Sequence, residues 1–559
     1  MIFRLLSVAA LLATALAFDP LVQTRYGYLQ GFSYNMSNGR EANIYLGVPY
    51  AAAPVGSLRF EKPVNPSPWK GVREAKEFGA PCFQHTAEHI LTGPGEFSED
   101  CLTMNIFGYP VMMFIHGGGF EVGSSSFYGY KNVSDNFVSQ GIIVITINYR
   151  LSAFGFFSTG DGVVSGNLGY FDQAAALRFI VQTVASFGGN PRDITVTGES
   201  AGGSSVSALT LSPHTNRLFQ KAIAMSGSQY NPFSNYAGVI NSSYELAAAL
   251  GCSGSSWSIK SCMKTKSAKK IRDGIAKIGQ SRDQFVVTIF NPYFDGDFFP
   301  YPIDVLARIA PKIPMITGVI DYDGAFFTLF PMPALFQSNV PFSEMGTYSA
   351  QNLTDFIVEK TIADKSYGKQ IGALTLKMVD YYVNRALNGR TNLNSSDYVA
   401  RYSDLFTDVY FNVPMFWEVQ DKAASGSRVY IYREEYHNPA ISAAFPVKGA
   451  YHGNEIPALF GVYFTPPYPF DDNDRAFQKD ILSGFISFIK YGKPVVSGKK
   501  WDHVTKENSG RYMSFSPNSQ MEDSFVKSAI EFWMQDVCAD VNIKMLRESI
   551  LPAARRPRK

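Results

Sequence analysis

Residues 198–203 read Gly198-Glu199-Ser200-Ala201-Gly202-Gly203, a G-x-S-x-G pattern between the apolar run Ile194-Thr195-Val196-Thr197 and a helix-compatible stretch. In isolation the pattern arises by chance. Set between a strand and a helix, its glycines allow a turn sharp enough to hold the Ser200 oxygen clear of the backbone, as a nucleophile requires. A serine that attacks a carbonyl places negative charge on the carbonyl oxygen, so hydrogen-bond donors must be waiting for it. His116-Gly117-Gly118-Gly119-Phe120 follows the apolar run Val111 to Ile115 and offers amides that no Cβ shields. The Gly118 and Gly119 N–H groups, with that of Ala201, form the expected oxyanion cradle.

A serine nucleophile also needs a base. Seven histidines are present, and His214, His437, His452 and His503 follow Ser200. His452 sits in the small-residue loop Gly449-Ala450-Tyr451-His452-Gly453-Asn454-Glu455. His437 competes with it, being closer to the end of the run Val429 to Tyr432. For the acid, Pro314 to Ile320 leads into Asp321-Tyr322-Asp323-Gly324, and both aspartates are candidates. Serine, then acid, then histidine is the chain order of the α/β-hydrolase fold.

The elements that must carry these residues are legible as short apolar runs: Val111 to Ile115, Ile142 to Ile147, Ile194 to Thr197, Ile313 to Ile320 and Val429 to Tyr432. Continuous runs of this length suit strands buried on both faces. Helix-like stretches such as Tyr170 to Ala185 lie between them. The expected fold class is therefore α/β: a large, mostly parallel central sheet with helices on both faces, and ligands at the carboxyl ends of its strands. The 559 residues show no repeat, low-complexity linker or long charge run that would divide them. With 50 basic and 48 acidic residues the net charge is +2, which provides no strong field for nucleic acid or an anionic membrane.

The amino terminus implies export. Arg4, the apolar stretch Leu5 to Leu16 and Ala15-Leu16-Ala17 have the layout of a signal peptide over residues 1–17, with the mature chain starting at Phe18. The stretch is short for a bilayer span, so no membrane anchor is expected. Sequons at Asn35, Asn132, Asn241, Asn352 and Asn394 suit the same secretory route. Of the five cysteines, Cys82 with Cys101 and Cys252 with Cys262 are the simplest pairing in an oxidising compartment, leaving Cys538 single. No C-x-x-C or histidine cluster points to a metal, and neither a metal nor an organic cofactor is expected.

Taken together these stretches resemble the type-B carboxylesterase/cholinesterase family of α/β-hydrolases. The likeness runs from about Gly27 to Trp533 and includes Trp69-Lys70-Gly71-Val72-Arg73, Ser98-Glu99-Asp100-Cys101-Leu102 and Asn148-Tyr149-Arg150-Leu151. Asn167 to Gln173, Phe187 to Pro191, Ser226-Gly227-Ser228 and Phe294-Asp295-Gly296 continue it in order. The resemblance implies one catalytic domain over residues 18–550, a basic tail at 551–559 and a small-molecule carboxylic ester as substrate. It implies Ser200 as nucleophile, His452 as base and Asp323 as acid, with Glu199 and Ser226 as supporting residues beside them. It also implies the disulfides Cys82–Cys101 and Cys252–Cys262 and a structural ion pair between Arg150 and Asp172. The connection from Phe107 to Val111 is shorter than in family members, and the partner for a third disulfide is absent. Cholinesterases draw a choline-binding tryptophan from the first disulfide loop; here that loop holds Phe83 and Phe97 and no tryptophan. Phe290, Phe294, Phe298 and Phe330 are candidates either for a substrate pocket or for the core. A non-catalytic adhesion protein on the same fold is the other alternative, disfavoured by the complete triad. Substrate identity and oligomeric state are not legible.

Overall fold

A computed structural model describes residues 19–108, 111–279, 288–332, 336–361 and 371–537. The expected signal peptide at residues 1–17, Phe18, Tyr109, Pro110, Cys538 and the 551–559 tail lie outside the described residues. Each apolar run forms a strand, and each strand belongs to one sheet. Its members are β1 (Phe32–Asn35), β2 (Glu41–Pro49), β3 (Thr103–Phe107), β4 (Val111–Ile115), β5 (Ile143–Ile147) and β6 (Ile194–Glu199). They continue as β7 (Lys221–Met225), β8 (Met315–Ile320), β9 (Val429–Glu434), β10 (Tyr512–Phe515) and β11 (Gln520–Glu522).

The spatial order is β11-β10-β9-β8-β7-β6-β4-β5-β3-β2-β1. Pairing is parallel from β10 through β5 and antiparallel at the two margins, so the sheet is mixed with a parallel centre. Every residue of β4 through β8 is buried. Alternation along the pleat divides their side chains between two cores. Val111, Met113 and Ile115 of β4 face one core, where α1 (Leu168–Thr183) and α2 (Ala201–Leu211) contribute Leu177, Ile180, Val206 and Leu209. Met112 and Phe114 face the other, where α3 (Asp472–Tyr491) contributes Phe477, Ile481, Phe485 and Phe488. Neither face is left to water, so these runs are mostly apolar, and the Thr195 and Thr197 of β6 are buried as well.

The register brings the strand ends together. Ile115 pairs with Gly198, Glu199 with Met225, Met225 with Gly318, and Ile320 with Glu434. The loops after β4, β6, β7 and β8 therefore emerge side by side, and they carry Gly118, Ser200, Ser226 and Asp323. Two disulfides, Cys82–Cys101 and Cys252–Cys262, fix peripheral loops as the cysteine spacing suggested. Arg150 forms the expected pair with Asp172 of α1: Nη2 lies 2.7 Å from Oδ1 and Nε lies 2.8 Å from Oδ2, both groups buried.

Candidate active site

Ser200 stands between β6 and α2 at φ +59° and ψ −123°, a conformation that L-residues rarely hold. Such backbone strain costs about 1–3 kcal/mol and persists only where the surroundings enforce it. Here the Ser200 N–H donates to Met225 O at 2.9 Å. The turn is tight enough that a Cβ on Gly202 would come within 2.0 Å of Ile115 O, so β4 itself forbids a side chain there. The glycines of G-x-S-x-G thus serve close approach as much as conformation.

The acid and the histidine come from adjacent loops joined to each other. Tyr322 N donates to Ala450 O at 3.0 Å, and Tyr322 and Tyr451 form an isolated parallel bridge. The next residue on each side is Asp323 and His452. Asp323 Oδ1 lies 2.7 Å from His452 Nδ1. Its other oxygen accepts from Ser226 Oγ at 3.0 Å and from Ile320 N at 2.8 Å. Ser226 thus supports the aspartate rather than the serine. Asp321, the competing acid, is engaged by Arg433. His437 lies part-buried, its imidazole pushed down by burial and by the Lys448 ammonium. His214 rests on Asp297 O at 3.2 Å, and His503 packs edge-on against Tyr430. His452 alone meets the Asp323 carboxylate.

His452 Nε2 has no hydrogen-bond partner among the described residues and, with Ser200, borders a common cavity. Glu199 Oε1 lies 3.3 Å from it without the alignment of a hydrogen bond. Burial, reinforced by the Asp323 charge, raises the Glu199 carboxyl well above the ordinary carboxylate range. Glu455 is raised to about 8, by burial first and then by Glu199 and Asp323. Glu434 is likewise held high by burial and by Glu455, and accepts from Asn454 Nδ2. A carboxyl cluster therefore lies beneath the histidine, with its neutral forms favoured.

Gly118 and Gly119, at φ +110° and +62°, line the same cavity. No hydrogen bond within the described residues uses the Gly118, Gly119 or Ala201 N–H. Three backbone donors near the serine are thus left free, and a helix N-terminus contributes one of them. The cavity opens to solvent, and its wall is chiefly apolar, with Phe233, Phe326, Phe327, Phe336 and Phe464 around the polar floor. None of Phe290, Phe294, Phe298 and Phe330 lines it. Phe290 and Phe298 are fully buried in the core, Phe294 packs on Phe299, and Phe330 backs Phe326 and Tyr451. The wall residues carry no motif that would set them apart from other phenylalanines in sequence.

All five sequon asparagines are exposed, and at Asn394 and Asn352 the side-chain oxygen accepts in a helix-capping box. Among the described residues no group of three or more His, Cys, Asp or Glu side chains is arranged to hold a metal ion.

A mixed sheet with a parallel centre, a serine at a strained strand-to-helix turn and an aspartate–histidine pair on neighbouring strand ends define an α/β-hydrolase. Comparison with known proteins narrows this. A model of the carboxylesterase family matches residues 18–533, and the chain belongs to that family. It is 34% identical over 545 residues to gut esterase 1 of Caenorhabditis briggsae, covering 95% of each chain. It is 30% identical over 558 residues to mouse carboxylesterase 1D, covering 92% of this chain and 93% of that protein. With human bile salt-activated lipase it shares 30% identity over 546 residues, covering 92% of this chain and 69% of the lipase. As a member of this family it is a carboxylic ester hydrolase.

Proposed function

We propose that the chain is a secreted serine esterase that cleaves small carboxylic esters through an acyl-enzyme intermediate, using Ser200, His452 and Asp323. The observation that carries this reading is the 2.7 Å contact between Asp323 Oδ1 and His452 Nδ1, with Nε2 left unpartnered at the cavity that Ser200 also lines. Asp323 fixes the tautomer that carries its proton on Nδ1, so Nε2 is free to accept. His452 Nε2 takes the Ser200 hydroxyl proton as Oγ bonds to the ester carbonyl carbon. The carbonyl oxygen becomes an oxyanion held by the Gly118, Gly119 and Ala201 amides. Collapse breaks the bond to the alcohol oxygen, which leaves with the proton from Nε2. Water then loses a proton to the same nitrogen, attacks the acyl carbon and releases the acid, restoring the Ser200 hydroxyl.

The apolar cavity wall supports uncharged esters over choline esters. None of the five tryptophans lines the cavity, and Trp417 and Trp501 are in the core. Export is supported by the two disulfides, which fit an oxidising compartment, and by the exposure of the sequons. Among the described residues no helix is long and apolar enough to cross a membrane. We take residues 1–17 as the signal peptide and 18–550 as one catalytic domain. The test is Ser200→Ala: turnover of a short-chain nitrophenyl ester is expected to vanish with the circular dichroism unchanged, and a variant that keeps most of its activity would overturn the reading.

A further inference from the structure

We propose that Glu121 is a positioning residue for the oxyanion cradle, its buried carboxylate clamping three separate loops into one arrangement; this rests on the esterase reading above. The glycines at 117–119 expose amides to a ligand, yet glycine is the residue with most backbone freedom to lose. Donors that stabilise a developing charge must be held in place before the reaction. The turn therefore needs a restraint from outside itself.

Glu121, two residues beyond Gly119, is placed to provide one. It is fully buried, and its own N–H closes the turn by donating to Gly118 O at 3.0 Å. Its Oε1 accepts two consecutive amides of another loop, Ile289 N at 3.1 Å and Phe290 N at 3.2 Å. The residue before them, Thr288, lines the cavity, and its Cγ2 lies 3.2 Å from where a Cβ on Gly119 would stand. On its other side, Glu121 Oε2 faces His85 Nδ1 at 3.8 Å, and His85 N donates to Glu121 O at 3.3 Å. His85 belongs to the loop closed by Cys82–Cys101, which also contributes Leu91 to the cavity. One carboxylate thus joins the oxyanion turn, the disulfide loop and the 288–290 segment. Two consecutive amides converging on one buried acceptor suit a clamp between loops, because a buried amide left without its acceptor costs about 1–3 kcal/mol.

The test compares Glu121→Leu, which removes the acceptor, with Glu121→Gln, which keeps an oxygen for both amides. Each is assayed on a nitrophenyl ester and titrated with an aryl trifluoromethyl ketone, whose serine adduct carries an oxyanion. Glu121→Leu is expected to lower kcat by about 100-fold with KM changed less than about threefold, and to weaken the ketone by a similar factor, the scale of one lost oxyanion donor. Glu121→Gln is expected to recover kcat to within about fivefold of the parent. A folded Glu121→Leu with parental kcat, or a loss confined to KM, would overturn the clamp. Should that variant fail to fold, His85→Gln decides: kcat and ketone affinity falling together support the clamp, and unchanged values refute it. A parent chain that resists a fluorophosphonate probe would instead break the esterase reading itself.

Discussion

The floor and the wall of the cavity are built in different ways. On the floor, Ser200, Asp323 and His452 each stand within a few residues of a strand end or of a bridge to one, and the sheet register sets their separations. The wall is made by Leu91, Phe233, Phe326, Phe336 and Phe464, drawn from loops and short helical turns, with Phe326 and Phe336 packed ring on ring and Phe464 on Phe127. In the proposed mechanism floor positions tolerate no drift, because a proton passes between two fixed atoms. Wall positions need only exclude water and fit an acyl or alcohol group, so many side chains satisfy them.

The contrast is sharpest within one loop. Asp323→Asn is expected to lower kcat by about 10³- to 10⁴-fold, because the amide no longer favours the productive histidine tautomer. Asp321→Asn, two residues away and bound to Arg433, is expected to stay within about threefold of the parent. Steady-state kinetics on one nitrophenyl ester measure both, and equal losses would dissolve the distinction. Next in size is Gly118→Ala, whose Cβ would fall 2.3 Å from Val122 O at a φ of +110°. A displaced turn carries its amides with it, and kcat is expected to drop about 10²- to 10³-fold.

The wall is expected to respond in selectivity rather than in rate. Phe336→Ala enlarges the cavity without touching the triad, so kcat/KM for a bulky acyl group relative to acetyl is expected to rise about tenfold. A uniform fall for all acyl groups would mean that the wall also positions the floor. The smallest effect concerns pH and stability. Burial raises the Glu455 carboxyl to about 8, so the folded chain binds a proton that the unfolded chain has released. Its contribution to stability is present below the ordinary carboxylate range and is lost as pH climbs toward 8. Glu455→Gln is expected to flatten the fall of Tm between pH 5 and pH 8, and a scan with the parental slope would contradict this.

What could be read from sequence follows the same division. The central strands were legible because burial on both faces demands unbroken apolar runs, and the serine turn because sterics there admit only glycine at the flanking positions. The choice between Asp321 and Asp323, and between His437 and His452, was not available from spacing. It depends on the Tyr322–Tyr451 bridge, a long-range pairing without local signature. The cavity phenylalanines were missed because nothing local separates Phe336 at the cavity from Phe298 in the core. Glu121 and His85 carry no local signal, because their pairing arises only from burial against each other. Strand ends ran slightly beyond the apolar runs, as at Glu199 and Glu434, because parallel pairing satisfies the backbone there whatever the side chain.

The most direct test of the triad is to treat the intact chain with a fluorophosphonate and locate the adduct by peptide mass spectrometry. One label per chain on Ser200 is expected, its rate falling by orders of magnitude in His452→Ala. Labelling at another serine, or none in the folded parent, would contradict it.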